Sequence, residues 1–301
     1  MFGLTFLGTS ASVPSAERNH PGLLVEAGSH RVLVDCGEGT QRQLLRSGAG
    51  FRRLDRILLT HGHLDHVLGI PGLFSTLRLR QSADVMTIHA SPGTLDVVIR
   101  MLAGLWEVGR APIPLELAPL ATGQVLDAGD FTIDCFPVRH RDTESFGFSF
   151  ESEVRRHLRP DRLAVLGVPD GPVRKELAEG RPVTLADGRT IEAEDVLGPP
   201  GARKKLVVVG DTETTDGLVE HVRAADALVI EATFLDRDAA IARDYGHLTA
   251  AEAARLAVAG DVKRLVLTHI SGRYPEEEVL AEATKIFPTS MVATDFDHIV
   301  I

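Results

Sequence analysis

The 301-residue chain predicts an α/β fold in layers, with helices packed outside sheets, and three features predict it. Short β-type runs recur from end to end. Segments with helix-capping signals lie between many of them. Strands crowd the first third of the chain and alternate with helices later. At 44% apolar and 25% charged residues, the composition is that of an ordinary globular chain long enough for a sizeable core.

The strand candidates are GLTFLG (3–8), GLLVEAG (22–28), RVLVDCG (31–37), RILLT (56–60) and VMTIHAS (85–91) in the first third. They continue with FTIDCFPV (131–138), FGFSFES (146–152), KLVVVGD (205–211), ALVIEAT (227–233), RLVLTH (264–269) and MVATDFDHIVI (291–301). Nearly all close on Gly or a polar residue, as strands do. Helices are expected at GTQRQLLRSG (39–48) and at SPGTLDVVIRMLAGLW (91–106), where Ser91 is a candidate N-cap. TAAEAARLAVAG (249–260) carries a capping box, Thr249 with Glu252, and closes on Gly260. PEEEVLAEATKIF (275–287) has acids in its first turn, where the helix dipole favours them.

Residues 151–200 break this rhythm. They hold six prolines, dense charge and a hairpin candidate, RPVTLADGRTI, turned at Asp187–Gly188. Within one domain spanning 1–301, they read as an inserted arm. From Arg155 to Arg189, eight arginines and lysines meet seven acids over 151–190. That makes the segment +1 in a chain that is otherwise −11. The total of −10 argues weakly against a nucleic-acid binder, although a total hides local patches. The chain has no apolar run long enough to span a membrane, no basic leader segment, and only Cys36 and Cys135, which fits a reducing cytoplasm.

The chemistry lies at the ends of the apolar runs. RILLT ends in His61, DCFPVR in His140, KLVVVG in Asp211 and RLVLT in His269. Layered α/β folds place sites at strand ends, so residues distant in sequence can converge there. Within HGHLDH, His61 and His63 are two apart and point the same way along extended backbone, while Asp65 and His66 fall at the next turn. Two ligands for one ion and two for a neighbour make a dinuclear arrangement, and imidazole with carboxylate suits zinc, with manganese also fitting. Two metals can share a hydroxide and clamp a phosphoryl or carbonyl centre. Isolated histidines such as His30, His89 and His221 are given no role.

These residues resemble the metallo-β-lactamase superfamily and, closely, its ribonuclease Z family of tRNA 3′-processing endoribonucleases. The resemblance covers nearly the whole chain: FLGTSASVPSAERN, DCGEGTQRQL, THGHLDHVLGIPGL, GDTETTD, EATF, GHLTAAEAA and LTHISGRY match the family's motifs in order. VPDGPVRKELAEGRPVTLADGR resembles its protruding arm, which puts Gly171 and Pro172 at the arm's tip. The resemblance implies a four-layer αββα sandwich with that arm inserted, in a homodimer. It implies two Zn²⁺ per chain, one on His61, His63 and His140, a second on Asp65, His66 and His269, with Asp211 bridging. Asp65 would be the general base, and His247 paired with Glu231 would act at the leaving oxygen. Ser271 and Arg273 would lie near the phosphate, and Arg18 and Asn19 would bind substrate within a loop similar to PxKxRN. Ala16 stands where that loop has lysine, and Leu64 replaces a common glycine.

The implied reaction is removal of the 3′ trailer of precursor tRNA by a metal-activated hydroxide, leaving a 3′-hydroxyl and a 5′-phosphate. A protonated imidazole beside a carboxylate meets the need of a poor alkoxide leaving group. The alternative is a hydrolase of a small phosphodiester or thioester on the same scaffold, which would have no use for the arm. A tRNA-binding protein with a dead site is disfavoured by the complete ligand set.

Overall fold

Successive side chains of a β-strand leave opposite faces, so an unbroken apolar run such as KLVVV marks a strand covered on both sides. The computed structural model describes residues 1–80, 84–106, 113–154 and 156–301; Arg155 of the charged segment lies outside them. The first sheet is begun by β1 (Phe2–Gly8), β2 (Gly22–Ala27), β3 (His30–Val34), β4 (Leu54–Leu58), β5 (Met86–Ala90) and β6 (Leu115–Pro119). The second is begun by β7 (Gly123–Asp127), β8 (Phe131–His140) and β9 (Thr143–Ser152). Then come the short β10 (Arg156–Leu158), β11 (Val183–Thr184), β12 (Thr190–Ile191) and β13 (Leu197–Pro200). The second sheet resumes with β14 (Lys205–Val209), β15 (Ala227–Glu231), β16 (Leu265–Thr268) and β17 (Ser290–Val292), and β18 (His298–Val300) returns to the first.

The two sheets have seven strands each, ordered β18-β1-β2-β3-β4-β5-β6 and β17-β16-β15-β14-β9-β8-β7. Alternation sorts their side chains into layers. Phe2, Leu4, Phe6 and Val34 of the first sheet meet Phe148, Phe150, Leu206 and Val208 of the second in a core between the sheets. The opposite faces are covered by helices. Val207, Val209, Leu228 and Ile230 pack with Ala250, Ala253, Ala254 and Ala257 of the helix Ala250–Ala259. Leu33, Ile57 and Ile88 pack with Leu73, Phe74 and Leu77 of the helix Ile70–Arg80, and with Leu95 and Val98 of the helix Pro92–Ala103. The result is the helix–sheet–sheet–helix order of a metallo-β-lactamase fold.

Both expected N-caps are formed. The Ser91 side chain accepts from Thr94 N, and Thr249 and Glu252 make both halves of the capping box. The C-terminal run MVATDFDHIVI is not one strand. It divides into β17 and β18 in different sheets, because Asp297 accepts from Thr294 N and closes a turn in which Phe296 takes φ +74°.

Residues 152–203 form a second compact unit, distinct from 1–151 with 204–301. It has its own small core, including Leu163, Leu177, Ile191 and Val196. The expected hairpin is present, but its turn is longer than Asp187–Gly188. Leu185 N donates to Arg189 O, leaving a three-residue loop with Gly188 at φ +85°. Among the described residues, no helix is long and apolar enough to cross a membrane.

Candidate active site

β14, β15 and β16 run parallel and adjacent, so their C-terminal ends set Asp211, Glu231 and His269 side by side. β8 of the same sheet ends on His140, and β4 of the facing sheet runs into Thr60 and His61. His61, His63, His140 and Asp211 place one donor atom each within 4.8 Å of one another, as do Asp65, His66 and His269. His61 Nε2 lies 2.9 Å from His63 Nδ1, which lies 3.2 Å from His140 Nε2. Asp211 Oδ2 is 3.7 Å from His61 Nε2 and 3.5 Å from His66 Nε2, while its Oδ1 is 3.3 Å from His269 Nε2. One carboxylate therefore stands between the two groups. Asp65 Oδ2 sits 3.6 Å from both His66 Nε2 and His269 Nε2. Asp65 and His66 are carried on the single helical turn Leu64–Val67.

The outer nitrogens of four rings are occupied, which decides what the inner nitrogens can do. His61 Nδ1 pairs with Thr60 Oγ1 at 3.0 Å, His66 Nδ1 with Asp35 Oδ2 at 2.8 Å, His140 Nδ1 with Gly246 O at 2.8 Å and His269 Nδ1 with Thr233 Oγ1 at 3.0 Å. A proton on each Nδ1 turns the Nε2 lone pair inward, the usual device for orienting a metal-ligating histidine. Gly246 reaches His140 at φ +75°, where an added Cβ would meet Arg141. These orienting groups carried no assignment in the sequence. Asp35 stood inside DCGEG, Thr60 beside His61 and Thr233 inside EATF, but only folding shows which ring each one faces.

The residues fit a pair of divalent metals. His66 Nε2, His269 Nε2 and Asp211 Oδ1 are buried with no hydrogen-bond partner, and all three converge on the same space. Such groups are costly to bury unless something satisfies them. Ligands at zinc bond lengths on a tetrahedron would lie roughly 3.3–3.4 Å apart, in the range found between these donors. Burial depresses His61, assisted by the neighbouring His66, and burial also depresses His63 and His140, so their lone pairs stay available. Burial would likewise depress His66, but Asp211 and Asp35 on its two sides override it and favour positive charge there. Burial opposes the ionised forms of Asp65 and Asp211 too. The histidines beside them nevertheless hold both carboxyls well below the ordinary range.

Next to this cluster His247 Nδ1 meets Glu231 Oε1 at 3.0 Å. Burial would lower this imidazole, but the Glu231 carboxylate takes its pKa up to about 9. Glu231 is not a solvated strand-end charge. It has no exposure and also accepts from Thr212 N, Thr233 Oγ1 and Leu248 N. His247 lines an open cleft with Ser271, Arg273, Tyr245, Phe234 and residues 10–15, so Ser271 and Arg273 flank it. Arg18 lines the same cleft, and its guanidinium donates to Glu276, Thr9 and Ala293 O, while Asn19 donates to Glu38 O. Gly171 and Pro172 belong to the 152–203 unit, at the start of its helix Pro172–Ala178.

A family model described as a β-lactamase superfamily domain matches residues 30–161 and 171–270. The chain is 77% identical to ribonuclease Z of Bradyrhizobium diazoefficiens over 301 residues, the full length of both. It is 37% identical to ribonuclease Z of Archaeoglobus fulgidus, covering 98% of this chain and 96% of the relative. Among solved structures, the short form of human tRNase Z is similar with a TM-score of 0.68 at 27% identity, over 99% of each chain. A metallo-β-lactamase-fold protein from Bacillus subtilis, at 20% identity and TM-score 0.71 over the whole of both chains, shares the fold.

Proposed function

The chain belongs to the ribonuclease Z family of the metallo-β-lactamase superfamily, and from that premise we propose that it removes the 3′ trailer from precursor tRNA with a dinuclear zinc site. The observation that carries the reading is the two donor groups with Asp211 standing between them, beside the His247–Glu231 pair. One zinc would be held by His61, His63 and His140, the other by Asp65, His66 and His269, with Asp211 serving both. Zinc suits these nitrogen and oxygen donors, and manganese fits them as well. When bound, a divalent pair lowers the pKa of water and offsets the charge of a phosphodiester.

The protein's own residues do the rest. Asp65 orients the attacking water and takes its proton. His247, with Nδ1 fixed by Glu231, gives the proton of its other ring nitrogen to the departing 3′-oxygen. Ser271 and Arg273 flank the phosphate, and the 152–203 unit, with Gly171 and Pro172, holds the tRNA body. The family resemblance supports a homodimer in the cytoplasm, and the free, buried Cys36 and Cys135 fit a reducing compartment.

Incubation with a 3′-extended precursor tRNA tests the reading. Analysis of the ends should find a 3′-hydroxyl on the tRNA and a 5′-phosphate on the trailer. Intact precursor, with a small phosphodiester or thioester hydrolysed by the same preparation, would move the assignment to the alternative hydrolase.

A further inference from the structure

We infer that the loop 9–19 is a brace that positions Asp65 and His269, with Arg18, Asn19 and Asp295 as its anchors. The inference rests on the proposed function. Ser12 sits in this loop at φ +49°, and its backbone N–H donates to Asp65 Oδ2 at 3.2 Å. That is the same oxygen that faces His66 Nε2 and His269 Nε2. The loop also grips the residue after His269 from both directions. Ile270 N donates to Thr9 O at 2.9 Å, and Ala11 N donates to Ile270 O at 3.1 Å. His269 is itself at φ +56°. Conformations of this kind in non-glycine residues persist only where the surroundings hold them.

The holding groups can be named. Arg18 is only 15% exposed; its Nη1 donates to Thr9 Oγ1 at 2.7 Å and to Ala293 O at 2.6 Å, and its Nη2 to Glu276 Oε2 at 2.8 Å. Asp295 accepts from Thr9 Oγ1 at 2.9 Å, from Asn19 N at 2.8 Å and from Gln43 Nε2 at 2.7 Å. Ser10 N donates to Asn19 O, so the two ends of the loop are tied together. Arg18, Asn19 and Asp295 touch neither donor group. They act through the Ser12 amide and the Thr9–Ile270 ladder, which makes them positioning residues.

A loop that contacts RNA and a loop that positions Asp65 respond differently to the same substitutions. Arg18→Met, Asp295→Asn and the milder surface change Glu276→Gln would be compared with wild type. The readouts are kcat on precursor tRNA, kcat on bis(p-nitrophenyl) phosphate, the Kd for precursor tRNA, and zinc retained against rising chelator. In every variant that folds, the two kcat values should fall by the same factor, about 10–100-fold for the first two and less for Glu276→Gln. The tRNA Kd should stay within about twofold, and zinc should be lost at lower chelator concentrations. Weakened tRNA binding with wild-type turnover of the small ester and wild-type zinc retention would overturn the inference. If wild type itself left precursor tRNA intact, the functional reading would fail, while the small ester and zinc retention would still decide the brace.

Discussion

His247→Ala slows precursor tRNA cleavage by about 10²–10⁴-fold, the usual worth of a positioned acid, and leaves hydrolysis of bis(p-nitrophenyl) phosphate near wild type. The difference comes from the leaving groups. A ribose 3′-oxygen departs as a strongly basic alkoxide unless it is protonated, whereas nitrophenolate is stable as an anion. On the proposed reading Glu231 holds His247 Nδ1, which leaves the other ring nitrogen to give the proton, and His247 lines the cleft. Glu231→Gln should show the same selectivity to a smaller degree, with a stability cost that arises from its burial. Thr212 N and Leu248 N donate to different oxygens of this carboxylate, and the amide NH₂ that replaces one of these oxygens cannot accept. That variant should therefore lose about 1–3 kcal/mol of stability in a denaturant titration. Zinc content should be unchanged in both. Loss of zinc from His247→Ala, or equal slowing of both substrates, would remove the acid role.

Replacing residues 152–203 with a short linker should abolish precursor tRNA cleavage while bis(p-nitrophenyl) phosphate hydrolysis persists. All seven proposed zinc ligands lie in the other compact unit, and the excised unit takes its own core with it. The charge of this unit shapes the expected salt response. Over 152–203, nine arginines and lysines meet nine acids, so its net charge is zero, and the +1 read over 151–190 disappears at the structural boundary. Arg156, Arg159, Arg174, Arg181 and Arg189 are each paired with a nearby carboxylate. Exposed pairs contribute little, so RNA phosphate can displace the carboxylates. Binding through these arginines should still weaken with salt, because phosphate contacts release counterions. Equal loss of both activities would mean that the unit supports the rest of the fold instead.

Much of the layered fold is legible in the sequence because alternation and capping are local. KLVVV, ALVIE and LVLT are apolar on both faces, and Ser91, Thr249 and Glu252 announce their helices within four residues. Misses occur where tertiary context overrides the local signal. MVATDFDHIVI looks like one strand, and its division between two sheets depends on Asp297 closing a turn. The helix Ile70–Arg80 carries Pro71 and Gly72 in its first turn, which read locally as breakers, and its burial against the first sheet sustains it. At the site, ligand-type residues at strand ends are visible in sequence because each ends an apolar run. Their partners are not. Nothing local ties Asp35 to His66, Gly246 to His140 or Thr233 to His269. The substrate roles given to Arg18 and Asn19 came from a motif, whereas their hydrogen bonds run inward to residues near 276 and 293, a long-range fact.

Titration of zinc into metal-depleted protein, read as precursor tRNA cleavage, tests the dinuclear site most directly. Seven ligand side chains exceed what one tetrahedral ion takes, so activity should be absent with chelator, rise with added zinc and level off near about two per chain. A plateau at one zinc per chain, or cleavage undiminished in excess chelator, would contradict the account.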